Sequence, residues 1–175
     1  MRSENSRTMI NREWPLYGKG LKNLGKNDKP VERELPAHGD DELLIRHDAV
    51  SLCYTDVKEI NFGDSHPRLS GRNLLENPIV PGHEVSMTVL SVGENLKDRF
   101  KTGDRYVIQP DVWYGGKSIP YSFGMDGAYR QYGIIGKEIL EGDAGCYLIK
   151  VPSRMSYAGA ALTEPWACVE ASYRM

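Results

Sequence analysis

Apolar and polar residues alternate along this chain in short runs separated by turn formers. Glu42–Leu52 (ELLIRHDAVSL) places Leu43, Ile45 and His47 on one face and Leu44, Arg46 and Asp48 on the other, the two-residue period of a strand. Val85–Val92 is a β-branched run, and Arg105–Gln109, Ala128–Ile135 and Tyr147–Val151 read as further strands. Thr8–Gly25 holds one or two short strands and a turn. The punctuation is the loop 36–41, the sharp turn Val80-Pro81-Gly82, and the turn Lys101-Thr102-Gly103-Asp104. Tyr54–Ile60 has no Gly or Pro and reads as helix, followed by a long polar loop over Asn61–Asn77. Loops of that length tend to be functional or mobile. Ser156 can cap a helix through Leu162, and Pro165 reads as the first residue of another that continues over Trp166–Arg174. The expected organisation is a flexible tail over 1–7, a mainly β domain over 8–155 and a helical segment over 156–175.

Composition narrows the class. At 175 residues, 40% apolar and 26% charged, the chain has the size of one domain and enough apolar surface for a core. A net charge of −2 offers no basic surface for nucleic acid. No apolar run approaches the ~20 residues that span a bilayer, so no membrane association is expected. Met1–Thr8 lacks the apolar stretch of a signal peptide. Cys53, Cys146 and Cys168 fit no disulfide framework, which points to the reducing cytoplasm. Cys146 and Cys168 read as core thiols, His38 and His66 as solvated loop residues, and His47 as a structural strand residue. No glycine-rich phosphate loop leads into a helix, and the chain stops inside a helical run, as a fragment would.

Three short strings could carry chemistry. Cys53-Tyr54-Thr55-Asp56 lies where a strand turns into a helix, with Cys53 and Asp56 one turn apart. It is either a metal thiolate with a supporting carboxylate or a buried thiol beside a helix-capping Asp. In Gly82-His83-Glu84, a regular strand would point His83 and Glu84 to opposite faces. Only an irregular backbone, which Pro81-Gly82 supplies, brings both to one centre; otherwise they are a satisfied His and a solvated Glu. Glu164, before Pro165, is a third ligand or a simple helix-capping residue. Together Cys, His and Glu on separate junctions are the donor set of an open catalytic zinc site. Tyr54, Trp113, Tyr114 and Phe123 line a pocket or simply pack.

The order of ELLIRHDAVSLCYTD, NPIVPGHEVSMTVLSVGENL, FKTGDRYVI, DGAYRQY and VPSRMSYAGAALTEPWACV resembles the zinc-dependent medium-chain dehydrogenase/reductase family, in its alcohol and sorbitol dehydrogenase-like branch. The likeness runs over roughly residues 8–175. It implies a GroES-like, partly open β-barrel with short helices, here without the Rossmann domain. It implies Cys53 and His83 as zinc ligands, Glu84 as ligand or close neighbour, and Glu164 at the position where polyol dehydrogenases carry Glu and alcohol dehydrogenases Cys. Thr55 matches the hydroxyl that relays the substrate proton, and Asp56 the carboxylate that hydrogen-bonds the zinc-bound histidine. One catalytic zinc is expected and no structural zinc, because Gln109–Gly127 contains no cysteine. The full-length protein is expected to use NAD or NADP, to oxidise a secondary alcohol or sugar alcohol, and to form a homo-oligomer. This chain alone is expected to bind zinc without turnover. Two other readings remain, a zinc-free quinone or enoyl reductase-like member and a stand-alone GroES-like binding module; bound metal separates them from the first.

Overall fold

The computed structural model describes residues 9–69 and 71–174. The tail expected over 1–7 lies outside them. The elements run β1 (Met9–Glu13), β2 (Val31–Leu35), β3 (Leu43–Val50), α1 (Tyr54–Phe62), β4 (Val85–Val92), β5 (Arg105–Ile108), β6 (Trp113–Tyr114), β7 (Lys117–Ser118), β8 (Tyr132–Ile135), α2 (Lys137–Leu140), β9 (Leu148–Lys150), α3 (Tyr157–Ala161) and α4 (Thr163–Tyr173). The mainly β class expected from the alternation is what is found.

A five-stranded antiparallel sheet, in the order β8-β3-β4-β5-β9, forms the body. β3 and β4 pair from Leu43↔Val92 to Val50↔Val85, with register shifts after Leu44 and His47. Such bulges bend and twist a strand, as a curved sheet requires. β1 and β2 form a separate ribbon that continues the curve beside β8: Gln131 N donates to Arg12 O at 3.0 Å and Trp14 N to Tyr129 O at 2.8 Å. The sheet thus bends round without closing fully.

The alternation sets the core. Leu43 and Ile45 of β3 and Val85, Met87 and Val89 of β4 point inward with Ile108 and Ile135. Each such side chain contributes about 1.5–3 kcal/mol on burial. α3 lies against the outer side of β3 and β4, and its Ala160 is fully buried. A smaller cluster of Leu16, Leu69, Leu74, Ile79 and Phe123 lies under the long loop after α1.

Several details differ from the sequence expectation. β2 is a strand although VEREL has no apolar alternation; it pairs only with β1 and buries little, so no pattern was required of it. α4 starts at Thr163, and Pro165 is its third residue rather than its first. Proline costs no hydrogen bond there, because the first four helical N–H groups have no partner within the helix. The polar loop is anchored through Arg72, whose guanidinium donates to Asn77 O, Asn77 Oδ1, Pro78 O and Phe123 O at 2.8–3.1 Å. His66, expected in solvent, is buried and stacks on Phe123 with ring centroids 5.1 Å apart. Cys146 and Cys168, expected in the core, are both exposed. His47 takes its expected structural role: Nδ1 meets Arg130 O and Nε2 meets Tyr121 Oη, each at 2.9 Å. Desolvation, with Arg130 adding, pushes its pKa down to about 3. No helix among the described residues is long and apolar enough to cross a membrane.

Candidate metal centre

The site begins at the start of α1. Cys53 is the residue that caps this helix: Thr55 N donates to its Sγ at 3.4 Å, and Cys53 N donates to Asp56 Oδ2 at 2.9 Å. This is the reciprocal cap a Ser-x-x-Glu box makes, built from a thiol and an aspartate. The same carboxylate does more than cap. Its Oδ2 accepts from Tyr129 Oη at 2.7 Å and its Oδ1 from Gly82 N at 3.3 Å, while Oδ1 lies 3.7 Å from His83 Nδ1. Asp56 is therefore a cap whose carboxylate also faces the His83 ring.

The Pro81-Gly82 turn places the next donors. Gly82 has φ +94°, and a Cβ there would lie 2.6 Å from the Tyr129 ring. Only glycine fits both demands. β4 begins at Val85, so His83 and Glu84 lie before the regular pleat and reach one centre. Nδ1 of His83 faces Asp56 and Ser122 Oγ (3.4 Å), leaving Nε2 as its other donor nitrogen. Glu84 Oε2 accepts from Ser51 Oγ. One ligand atom from each of Cys53, His83 and Glu84 lies within 4.8 Å of the others.

These donors open into a cavity of about 280 Å³, also lined by Thr55, Arg68, Phe123, Glu164 and Cys168. Glu164, on the first turn of α4, stands outside the compact three-donor group, and its Oε1 accepts from Cys168 Sγ at 3.2 Å. That bond, with burial and the Glu164 charge adding, pushes the Cys168 thiol up to about 11. Of the pocket aromatics, Phe123 lines this cavity, whereas Tyr54 is exposed and Trp113 and Tyr114 lie on the β6–β7 ribbon away from it.

The donor set fits a zinc ion. Burial pushes the Cys53 thiol up; Thr55 opposes this, and the Glu84 carboxylate adds to it. A thiol, a carboxylate and an imidazole converge here. A divalent cation at that point turns the mutual repulsion into attraction and favours the thiolate. Sulfur, nitrogen and oxygen donors in one open group suit zinc.

Sequence reasoning missed three neighbours. Tyr129 holds Asp56, and burial with the Asp56 and Glu59 charges pushes its hydroxyl well above the usual phenol range, so it remains a donor. Ser122 is fully buried at φ +76°, a strained conformation for a non-glycine residue. Glu59, three residues after Asp56 on α1, is fully buried, and neither carboxyl oxygen has a hydrogen-bond partner among the described residues. No local signal marks any of them, because each acts through tertiary contacts. A larger apolar cavity of about 700 Å³, lined by Trp14, Leu24, Val50, Leu52 and Tyr129, contains none of the metal donors. Chemistry rather than volume identifies the site.

A family profile described as the alcohol dehydrogenase GroES-like domain matches residues 39–146. The chain is 39% identical over 137 residues to mannitol-1-phosphate 5-dehydrogenase of Aliivibrio fischeri, covering 78% of this chain and 31% of that protein. It is 34% identical over 152 residues to L-sorbose 1-phosphate reductase of Klebsiella pneumoniae, covering 85% and 36%. It thus spans about a third of the length of these relatives. Among solved structures, one from Sinorhizobium meliloti 1021, provisionally described as a zinc-binding dehydrogenase and bound to NADP, superposes with a TM-score of 0.68 at 19% identity, covering 91% of this chain and 44% of that one. At that identity the likeness shows the fold.

Proposed function

Because the chain belongs to the alcohol dehydrogenase GroES-like domain family, we propose that it forms the zinc-binding catalytic part of an NAD- or NADP-linked dehydrogenase acting on a secondary hydroxyl of a sugar alcohol or its phosphate. The observation that carries this reading is the convergence of Cys53, His83 and Glu84 within 4.8 Å in the wall of one cavity. The substrate class is supported by the names of the two relatives, both of which act on phosphorylated six-carbon compounds.

Each residue has a role in this reading. Cys53, His83 and Glu84 hold the ion, and Glu164 stands at the rim as a further oxygen donor. When bound, zinc would supply Lewis acidity toward the alcohol oxygen and a nicotinamide cofactor would supply the hydride acceptor. Asp56 favours the His83 tautomer that is protonated at Nδ1, so that Nε2 faces the ion; Tyr129 and the Cys53 and Gly82 amides hold Asp56 still. Thr55, on the cavity wall, takes the proton from the substrate hydroxyl and passes it outward.

The test is elemental analysis of the purified protein beside Cys53→Ala and His83→Ala. About one zinc per chain, lost in both variants, supports the reading. Dehydrogenase activity of the full-length protein that survives complete removal of zinc would refute it.

A further inference from the structure

The cavity at the metal centre has an uneven charge. Its lining includes three carboxylates, Glu84, Asp111 and Glu164, and one permanently cationic side chain, Arg68. Arg68 rises from the short turn Pro67–Leu69. Its backbone is fixed there, since Arg68 N donates to His66 Nδ1 at 3.2 Å and the His66 ring stacks on Phe123. The guanidinium lies over the Phe123 ring, 5.3 Å from its centroid. Among the described residues, its one hydrogen bond runs to Asp111 Oδ1 at 3.5 Å.

That ion pair is long, and its side chains are 53% and 59% exposed. Exposed pairs of this kind contribute little and exchange partners easily. Among the described residues most of the guanidinium's five donors therefore have no partner, on a head group already positioned by an aromatic face. This is a poor arrangement for stability and a good one for recognising an anion. A phosphate dianion accepts two parallel N–H bonds from the planar fork and competes with a single, distant carboxylate. Neutral hydroxyls have no such advantage, and elsewhere the cavity wall repels an anion.

We propose that Arg68 is the anion anchor of this pocket, holding the phosphate of a sugar-alcohol phosphate while the hydroxyl to be oxidised lies at the Cys53–His83–Glu84 group. The assignment rests on the dehydrogenase reading above and makes the phosphorylated polyol the preferred substrate. Arg68 acts on binding and takes no part in hydride or proton transfer.

The experiment compares a hexitol 1-phosphate with the free hexitol in the full-length protein, using wild type, Arg68→Ala and Arg68→Lys. A charge-assisted, bidentate contact corresponds to a rise in KM of about 10- to 100-fold. In Arg68→Ala that rise is expected for the phosphate ester and should exceed any change for the free hexitol, with partial recovery in Arg68→Lys. Equal losses on both substrates, or no loss on either, would overturn the assignment, as would a wild-type preference for the free hexitol. Calorimetric titration of the zinc-loaded protein with inorganic phosphate gives a readout independent of turnover: binding is expected in wild type and lost in Arg68→Ala. Binding that persists in the variant, or is absent from wild type, overturns the anchor even if the dehydrogenase is active. Absence of turnover on both substrates counts against the dehydrogenase reading instead, and the phosphate titration then decides Arg68 alone.

Discussion

Replacing Glu59 should flatten part of the pH dependence of stability. The side chain is fully buried on α1, and among the described residues neither oxygen has a hydrogen-bond partner. Desolvation, with the nearby Asp56 charge adding and Arg72 opposing, raises its pKa from 4.5 to about 9. The folded state therefore holds a proton that the unfolded chain releases above pH 4.5. Folded protein binds more protons across that window, so the contribution is intact below the unfolded pKa and declines as pH rises toward about 9. Each unit is worth about 1.4 kcal/mol, which makes the penalty about 3 kcal/mol at pH 7. Glu59→Gln and Glu59→Met cannot titrate. Urea unfolding of metal-free wild type and both variants, followed by tryptophan fluorescence at pH 5.5, 7 and 8.5, isolates the effect. The stability difference between each variant and wild type should shift in the variant's favour by about 1.4 kcal/mol per pH unit. Gln leaves buried amide groups unpaired, so its curve is offset downward from that of Met, but the slopes should agree. A difference that stays flat with pH in both variants would refute the reasoning.

Two further outcomes test the scaffold of the site. Gly82→Ala adds a Cβ at φ +94° and 2.6 Å from the Tyr129 ring, whose hydroxyl is tied to Asp56. It should destabilise by about 3 kcal/mol in urea unfolding and weaken zinc binding, and a variant as stable as wild type would show that the turn can relax. Tyr129→Phe removes one donor from Asp56 while Cys53 N and Gly82 N remain. Zinc affinity, read by competition with a chromogenic chelator, should fall about 10- to 100-fold; unchanged affinity would mean that Tyr129 only fills space.

What could be read from the chain were features that are local by nature. The two-residue period of β3 put Leu43 and Ile45 on one face and Val85–Val92 was legible as a strand; both side chains of β3 are buried, in one core with Val85, Met87 and Val89. The Cys53–Asp56 spacing and the Pro81-Gly82 break before His83 and Glu84 are equally local, and the fold brings one ligand atom each of Cys53, His83 and Glu84 within 4.8 Å of the others. Local rules also misled. α1 buries its acidic side, with Asp56 and Glu59 almost fully covered while Val57 and Phe62 stay exposed, the reverse of an ordinary amphipathic helix. Cys168 faces the cavity, not the core, because α4 presents it beside Glu164.

The remainder was decided by chain closure. Asp56 meets Tyr129 across 73 residues, and His83 meets Ser122 across 39. Arg68 shares a cavity with Cys53, His83 and Glu84, and Arg72 fastens the same loop against Asn77, Pro78 and Phe123. Backbone geometry and side-chain period act over a few residues and are written into the sequence. Which polar groups share a buried site depends on how distant segments pack, and the low-dielectric surroundings that give Glu59 its proton exist only once they have packed.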